Sequence, residues 1–259
     1  MIDFKEHIIL DNINSWPNEV LEIIKTNENS IKGFFQEEYR INKLAREDLS
    51  IQFNRPKNIH QDSWRTAIEK VENILKEHLI IGIHATNLLK DEIEDIIENG
   101  LKPLSKEFSQ QRIERVYKKG LISKELKNQL TNKKELVANN RKGKIFVFHC
   151  LTTLKDEWGL NKLLGFWGGE AMYTYLKNTE ELKKIGIPCI VFTSIKIKEL
   201  DIYPKLSKRM MSYYFNNNYY PHDTDSIIEK KLNVLKVIKR DEKLFEDLTQ
   251  IQNWSKQLK

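Results

Sequence analysis

Apolar residues recur at intervals of three and four through most of the first eighty positions, which predicts helices separated by short breaks. After Trp16-Pro17, the run NEVLEIIK sets Val20, Leu21, Ile23 and Ile24 on one side. A proline just before such a run is in its favoured place at the start of a helix. Residues 31–53 continue helically with Phe34, Phe35, Tyr39 and Leu44 as the apolar positions, NRPKNIHQD reads as a loop, and a third helix follows. In that helix Trp64, Ala67, Ile68, Val71, Ile74 and Leu75 make the apolar face and Asp62 is placed to cap it. The pattern then changes. LIIGI at 79–83 is an all-apolar run too short for a helix, so it predicts a buried strand with the polar triplet His84-Ala85-Thr86 at its mouth. Ile93, Ile96, Ile97 and Leu101 return to helical spacing, with Asp91 and Glu92 in the first turn and Gly100 where a C-terminal cap belongs.

Farther on, 105–142 predicts helix, with Ile113, Val116, Tyr117, Leu121, Leu126 and Leu130 as its apolar positions. IFVFHCL (145–151), IPCIVFTSIKI (187–197) and KKLNVLKVI (230–238) predict three more strands. A helix is expected to begin near Gly168-Gly169. The aromatic, Asn-rich stretch 211–225 reads as a loop, and 241–258 as a closing helix. Strands and helices mixed in this way give an α+β class. The organisation expected is a helical region over 1–78 and a mixed domain over 79–259.

Composition narrows the picture. Two hundred and fifty-nine residues suit one large domain or one with a small appendage. With 40% hydrophobic residues, five Trp, nine Tyr and eleven Phe, there is material for a packed core. No stretch approaches eighteen uncharged apolar residues and the start of the chain lacks a signal-peptide layout, so a cytoplasmic protein without a membrane span is expected. Cys150 and Cys189 lie in apolar runs, as buried free thiols do, which fits a reducing compartment. Charge is uneven: residues 1–80 hold 11 Lys+Arg against 14 Asp+Glu, net −3, and the remainder 32 against 23, net +9. A basic second part can attract polyanions, nucleic acid above all.

Walker and Rossmann glycine patterns, H-E-x-x-H and G-x-S-x-G are all missing, which removes the chemistries those motifs carry. Three features remain: His84 with Thr86, the strand carrying His149, and Glu229 after the aromatic loop. Singly each is weak, since a histidine beside an apolar strand is more often a hydrogen-bonded structural residue than a catalytic one. Their order along the chain is more informative.

The segment IGIHATNLLKDEIEDIIENGLKPL resembles the first signature of the His-type branch of the ADP-ribosyltransferase superfamily, which includes poly-ADP-ribose polymerases and RNA 2'-phosphotransferases. In that signature a strand ends in His-Gly-Thr or His-Gly-Ser and a short helix ends in Gly-Leu. The matching positions are His84, Thr86, Ile96, Gly100 and Leu101, with Ala85 in place of Gly. IFVFHCLTT resembles the second signature strand, with His149 at the Tyr/His place and Phe148 beside it. SIIEKKLNVLKVI is similar to the third, a Glu entering a strand after a substrate loop, with Glu229 as that Glu.

The resemblance implies a split antiparallel sheet with flanking helices and NAD as co-substrate, without a metal. It implies that His84 holds the adenosine ribose, that Ala85 and Thr86 orient the dinucleotide, and that Phe148, His149 or Tyr173 packs on nicotinamide. Glu229 would stabilise the oxocarbenium-like charge that forms as the glycosidic bond lengthens. By family habit the chain would be a mono-ADP-ribosylating bacterial toxin or phage-defence effector, with an antitoxin or regulatory protein docking on 1–78. Ile227 stands where arginine-modifying members carry Glu or Gln, which disfavours a guanidinium acceptor. Tyr214, Asn217, Tyr219 and Tyr220 in the loop suit nucleobases, each stack contributing about 1–3 kcal/mol. Nucleic acid is therefore the expected acceptor. A protein acceptor, an NAD-dependent RNA 2'-phosphotransferase and a non-enzymatic nucleic-acid binder stay open.

Overall fold

The computed structural model describes residues 4–132, 142–174, 176, 178–200, 205–217, 220 and 225–251. In chain order, β1 (His7–Ile8), α1 (Asn18–Thr26), α2 (Glu28–Glu47), α3 (Leu49–Phe53) and α4 (Gln61–Leu75) precede β2 (Leu79–Leu88). Next come α5 (Lys90–Asn99), α6 (Lys106–Lys118), α7 (Lys124–Asn132) and β3 (Ile145–Phe148), then α8 (Glu157–Gly165), α9 (Glu170–Tyr173), α10 (Glu180–Lys183) and β4 (Ile187–Lys196). The chain continues through α11 (Leu206–Tyr214), β5 (Asp225–Ile228), β6 (Asn233–Lys239) and α12 (Lys243–Thr249). Among the described residues the sheet order is β5-β3-β2-β4-β6, with β1 parallel to the first two residues of β2. The pairs β2–β3, β3–β5 and β4–β6 are antiparallel. The α+β class follows.

The chain divides into two compact units, residues 1–80 with 196–224, and residues 81–195 with 225–259. The segment 196–224, grouped with the second part on sequence grounds, is thus a component of the first unit. In that unit α2 and α4 bury aromatic faces: the Phe34 and Trp64 rings stack at 4.4 Å and 3°, and Phe35 meets Trp64 edge-on at 5.1 Å. Burying each such ring stabilises by about 1.5–3 kcal/mol. Tyr39, read as an apolar face residue, is 73% exposed, because Ile31, Phe35 and Ile41 already fill the inward face of α2. Asp62 does not cap α4; His60 is its N-cap, and the Asp62 carboxylate accepts from Lys57.

In the second unit, β4 is buried along most of its length and β3 along its inward positions, and α6 and α7 bury Ile113, Val116, Leu126 and Leu130 with Trp167 and Met172. The strand expected over 79–83 runs to Leu88, so His84, Ala85 and Thr86 lie within β2 and not at its mouth. The helix expected near Gly168-Gly169 is the four-residue α9, preceded by the longer α8. The last helix ends at Thr249; Trp254, expected within it, lies outside the described residues.

Candidate functional site

Strands β2 and β3 pair at one register position, Ile83 with Phe148. On either side, a histidine side chain takes over the duty of the missing ladder. The His84 Nδ1–H donates to the Phe146 carbonyl at 2.9 Å, and the His149 Nδ1–H to the Ile81 carbonyl at 2.7 Å. Buried carbonyls need donors, and where strands diverge a side chain supplies them. His149 is fully buried and its Nε2 accepts from the Ser226 hydroxyl of β5 at 2.7 Å, so both ring nitrogens are engaged. This is a structural clasp joining three strands, and it carries His149 away from the nicotinamide-contact role given to it on resemblance.

His84 differs. It is partly buried and lines a cleft of about 450 Å³ within the second unit. Burial drives its pKa below the ordinary histidine value; the Phe146 carbonyl opposes this and the Arg112 charge adds to it. With Nδ1 donating, the neutral ring presents Nε2 as an acceptor. Ala85, Thr86 and Phe148 line the same cleft, as do Gly100 and Leu101 of the Gly-Leu step.

The cleft also holds groups that the sequence reading missed. Arg112, on α6, is 7% exposed. Its Nε donates to Glu92 Oε1 at 2.6 Å and its Nη2 to Oε2 at 3.3 Å. Glu92 Oε2 further accepts from the Leu89 amide and the Trp167 indole, both at 2.9 Å. Burial alone would raise the Glu92 pKa, but the Arg112 charge and these four donors hold it below the usual glutamate value. Arg112 Nη1 makes no hydrogen bond among the described residues, and Arg112 lines the cleft. Lys102, Arg115 and Lys144 line it too; the first two pair with Asp95 and Asp91. The hydroxyl of Thr153, another lining residue, is buried without a partner. Helical periodicity could not reveal Arg112, because an arginine on an amphipathic helix is ordinarily solvated.

Gly168 and Gly169, with φ of 75° and 62°, close the cleft with bare backbone. A Cβ on Gly168 would meet Met172 and stand 3.7 Å from Arg112 Nη1. The carboxylates lining the cleft are Glu92, Asp95, Asp156 and Glu170. Glu229 is not among them. It is exposed, and it follows β5 where it had been expected to enter a strand. The preceding residue, Ile228, pairs with Ile145, and Ile145 and Lys144 both line the cleft.

Tyr173 packs on Phe166 at 5.0 Å against the apolar cluster around Trp167 and does not line the cleft. The loop residues belong to the first unit. Tyr214 lies against Trp16 at 6.4 Å and Tyr220 stacks on Trp64 at 6.2 Å and 5°. The Asn217 amide donates to the Ser212 carbonyl, and its own carbonyl accepts from the Ser212 hydroxyl. Tyr219 lies outside the described residues. Cys189 is buried and its thiol is pushed up to about 12, chiefly by desolvation, so it is no nucleophile at neutral pH. No group of three metal-ligating side chains occurs among the described residues. Comparison with known proteins returns no family model, curated protein or solved structure that matches the chain.

Proposed function

We propose that the cleft binds NAD and that the protein is a mono-ADP-ribosyltransferase whose acceptor is nucleic acid. The observation that carries this reading is the convergence of His84, Thr86 and Phe148, drawn from two separated signatures, on one cleft that also offers an unpaired guanidinium edge. The residues present suit the dinucleotide. Arg112 Nη1 and the unpartnered Thr153 hydroxyl can donate to diphosphate oxygens, His84 Nε2 can accept from a ribose hydroxyl, and Phe148 offers an apolar wall.

In the reaction, the bond from ribose C1' to nicotinamide breaks and its electron pair leaves with nicotinamide. A lone pair of the acceptor forms the new bond to C1', and the acceptor's proton passes to a base or water. A carboxylate near C1' stabilises the cationic transition state. Glu229 is that carboxylate in this reading, at the end of β5 beside the Lys144 edge of the cleft. A toxin or defence role, with a regulatory protein bound to the helical first unit, belongs to the same proposal. Exposed Leu49, Phe53 and Ile59 of that unit suit such a partner.

The cations lining the cleft favour a second reading, an NAD-dependent RNA 2'-phosphotransferase. One set of assays separates the two. NAD binding is measured by calorimetry, and nicotinamide release is followed with RNA, DNA, protein or 2'-phosphorylated RNA present. Label from NAD appearing on unphosphorylated nucleic acid, and lost in Glu229→Gln, supports the first reading. Turnover confined to 2'-phosphorylated RNA supports the second. Absence of NAD binding overturns both, and loss of activity in Glu170→Gln but not Glu229→Gln moves the carboxylate to α9.

A further inference from the structure

The outer surface of α8 has no role in anything described so far. Its inner side, with Gly159, Leu160 and Leu163, lines the cleft, as does its N-cap Asp156. On its outer side stands Trp158, 91% exposed, the most exposed large apolar side chain among the described residues. Lys162 is one turn farther on, and Lys155 lies three residues before Trp158 in the turn that leads into the helix; both are exposed. Trp158 and Lys162, four apart, share one face of α8, and Lys155 precedes them in the 3-10 turn before the extended Asp156. Neither lysine has a carboxylate partner among the described residues, and the Asp156 carboxylate is engaged by the Trp158 amide.

The setting is basic. The unit that contains α8 carries 27 Lys+Arg against 20 Asp+Glu, net +7, whereas the other unit has 16 against 17, net −1. An aromatic ring left in water between two unpaired cations suits a partner with flat apolar faces strung on phosphates. Stacking needs an unpaired base, which a duplex does not offer. Gly159, next to Trp158, lines the cleft together with the Asp156 side chain, which packs over it, so the outer side of α8 adjoins the cleft wall at that point.

We propose that Lys155, Trp158 and Lys162 form a docking track for single-stranded nucleic acid on the wall of the cleft. Trp158 is the stacking platform and the two lysines contact phosphates. The proposal deepens the nucleic-acid part of the preceding reading by naming the surface that receives the acceptor, but binding to the track needs no NAD.

The test is fluorescence anisotropy with labelled single-stranded RNA, single-stranded DNA and a duplex, without NAD. Trp158→Ala should weaken single-strand binding about 5- to 150-fold, the range that 1–3 kcal/mol per stacked base converts to, and leave duplex binding unchanged. Trp158→Phe should keep most of the affinity. Lys155→Gln with Lys162→Gln should lower the slope of log affinity against log salt by about 1.4. The RNA and DNA arms decide which polymer is preferred. Wild-type affinity in Trp158→Ala, or tighter binding of the duplex than of either single strand, overturns the track; so does failure of the wild-type protein to bind any oligonucleotide. Trp158 is exposed, so its variants should unfold at the wild-type temperature. Calorimetry with NAD on the wild-type protein keeps the two proposals apart: NAD binding without oligonucleotide binding sinks only the track, and the reverse sinks only the NAD reading.

Discussion

Two side chains in the cleft set its chemistry through opposite responses to burial. His84 is held neutral because burial disfavours an imidazolium and Arg112 repels one, which together outweigh the Phe146 carbonyl that favours it. Its titration midpoint, followed by NMR, should fall below the ordinary value of about 6.5. The folded pKa is depressed, so the unfolded chain binds the extra proton first. The stability His84 contributes is therefore complete above that ordinary value and lost as pH falls toward the folded one. Glu92 is held charged by Arg112 and by two further donors, the Leu89 amide and the Trp167 indole. Its depressed pKa contributes stability above the usual glutamate value of about 4.3, which drains away on acidification below it. Arg112→Met should cost about 3–5 kcal/mol in chemical denaturation by stranding that carboxylate, and pairing it with Glu92→Met should recover much of the loss. His84 and Thr86 were legible in the sequence because a local motif contains them. Arg112 was not, because the pairing that buries it joins residues twenty positions apart on two helices.

At the scale of elements, β2 and β3 share one register pair and both supply residues to the cleft, and the His149 clasp ties them to β5. Ser226→Ala should leave a buried imidazole nitrogen without its partner and cost about 1–3 kcal/mol, read as a lower midpoint in thermal unfolding. The Gly-Leu step after α5 is equally constrained. Gly100 has φ of 76°, a Cβ there would stand 2.6 Å from the Leu232 carbonyl, and Leu101 exchanges two backbone hydrogen bonds with Leu232. Gly100→Ala should therefore lower the thermal midpoint well beyond Gly120→Ala, a positive-φ glycine with open space around it. Alternation and helical spacing located α1, α2, α4, α5, β2, β3, β4 and β6, but missed β1, α8, α10, α11 and β5 and misjudged where β2 stops and on which end of a strand Glu229 falls. A strand that continues past its apolar run, through His84 and Asn87, is held by partners distant in sequence: Phe146 for one, Leu164 for the other.

At the scale of the molecule, the unequal charge seen along the sequence becomes a difference between units, +7 against −1. Association with any polyanion should fall steeply with salt, and the measured slope counts the phosphates engaged. The aromatic loop shows the limit of compositional reasoning. Its tyrosines suit nucleobases on paper, but Tyr213 donates to the Asp11 carbonyl and Tyr220 lies on Trp64, so they serve the helical unit's own packing. Segment 196–224 joins the start of the chain through partners far away in sequence, which no local pattern records.

That return also governs how the protein is made. A ribosome has to reach the segment 196–224 before the first unit has all its parts, and by then most of the second has already emerged. Until α11 and Tyr220 arrive, Trp16 lacks its Tyr213 and Tyr214 neighbours and Trp64 has Phe34 and Phe35 but not Tyr220, so the nascent helices are the stretch on which a chaperone would dwell longest.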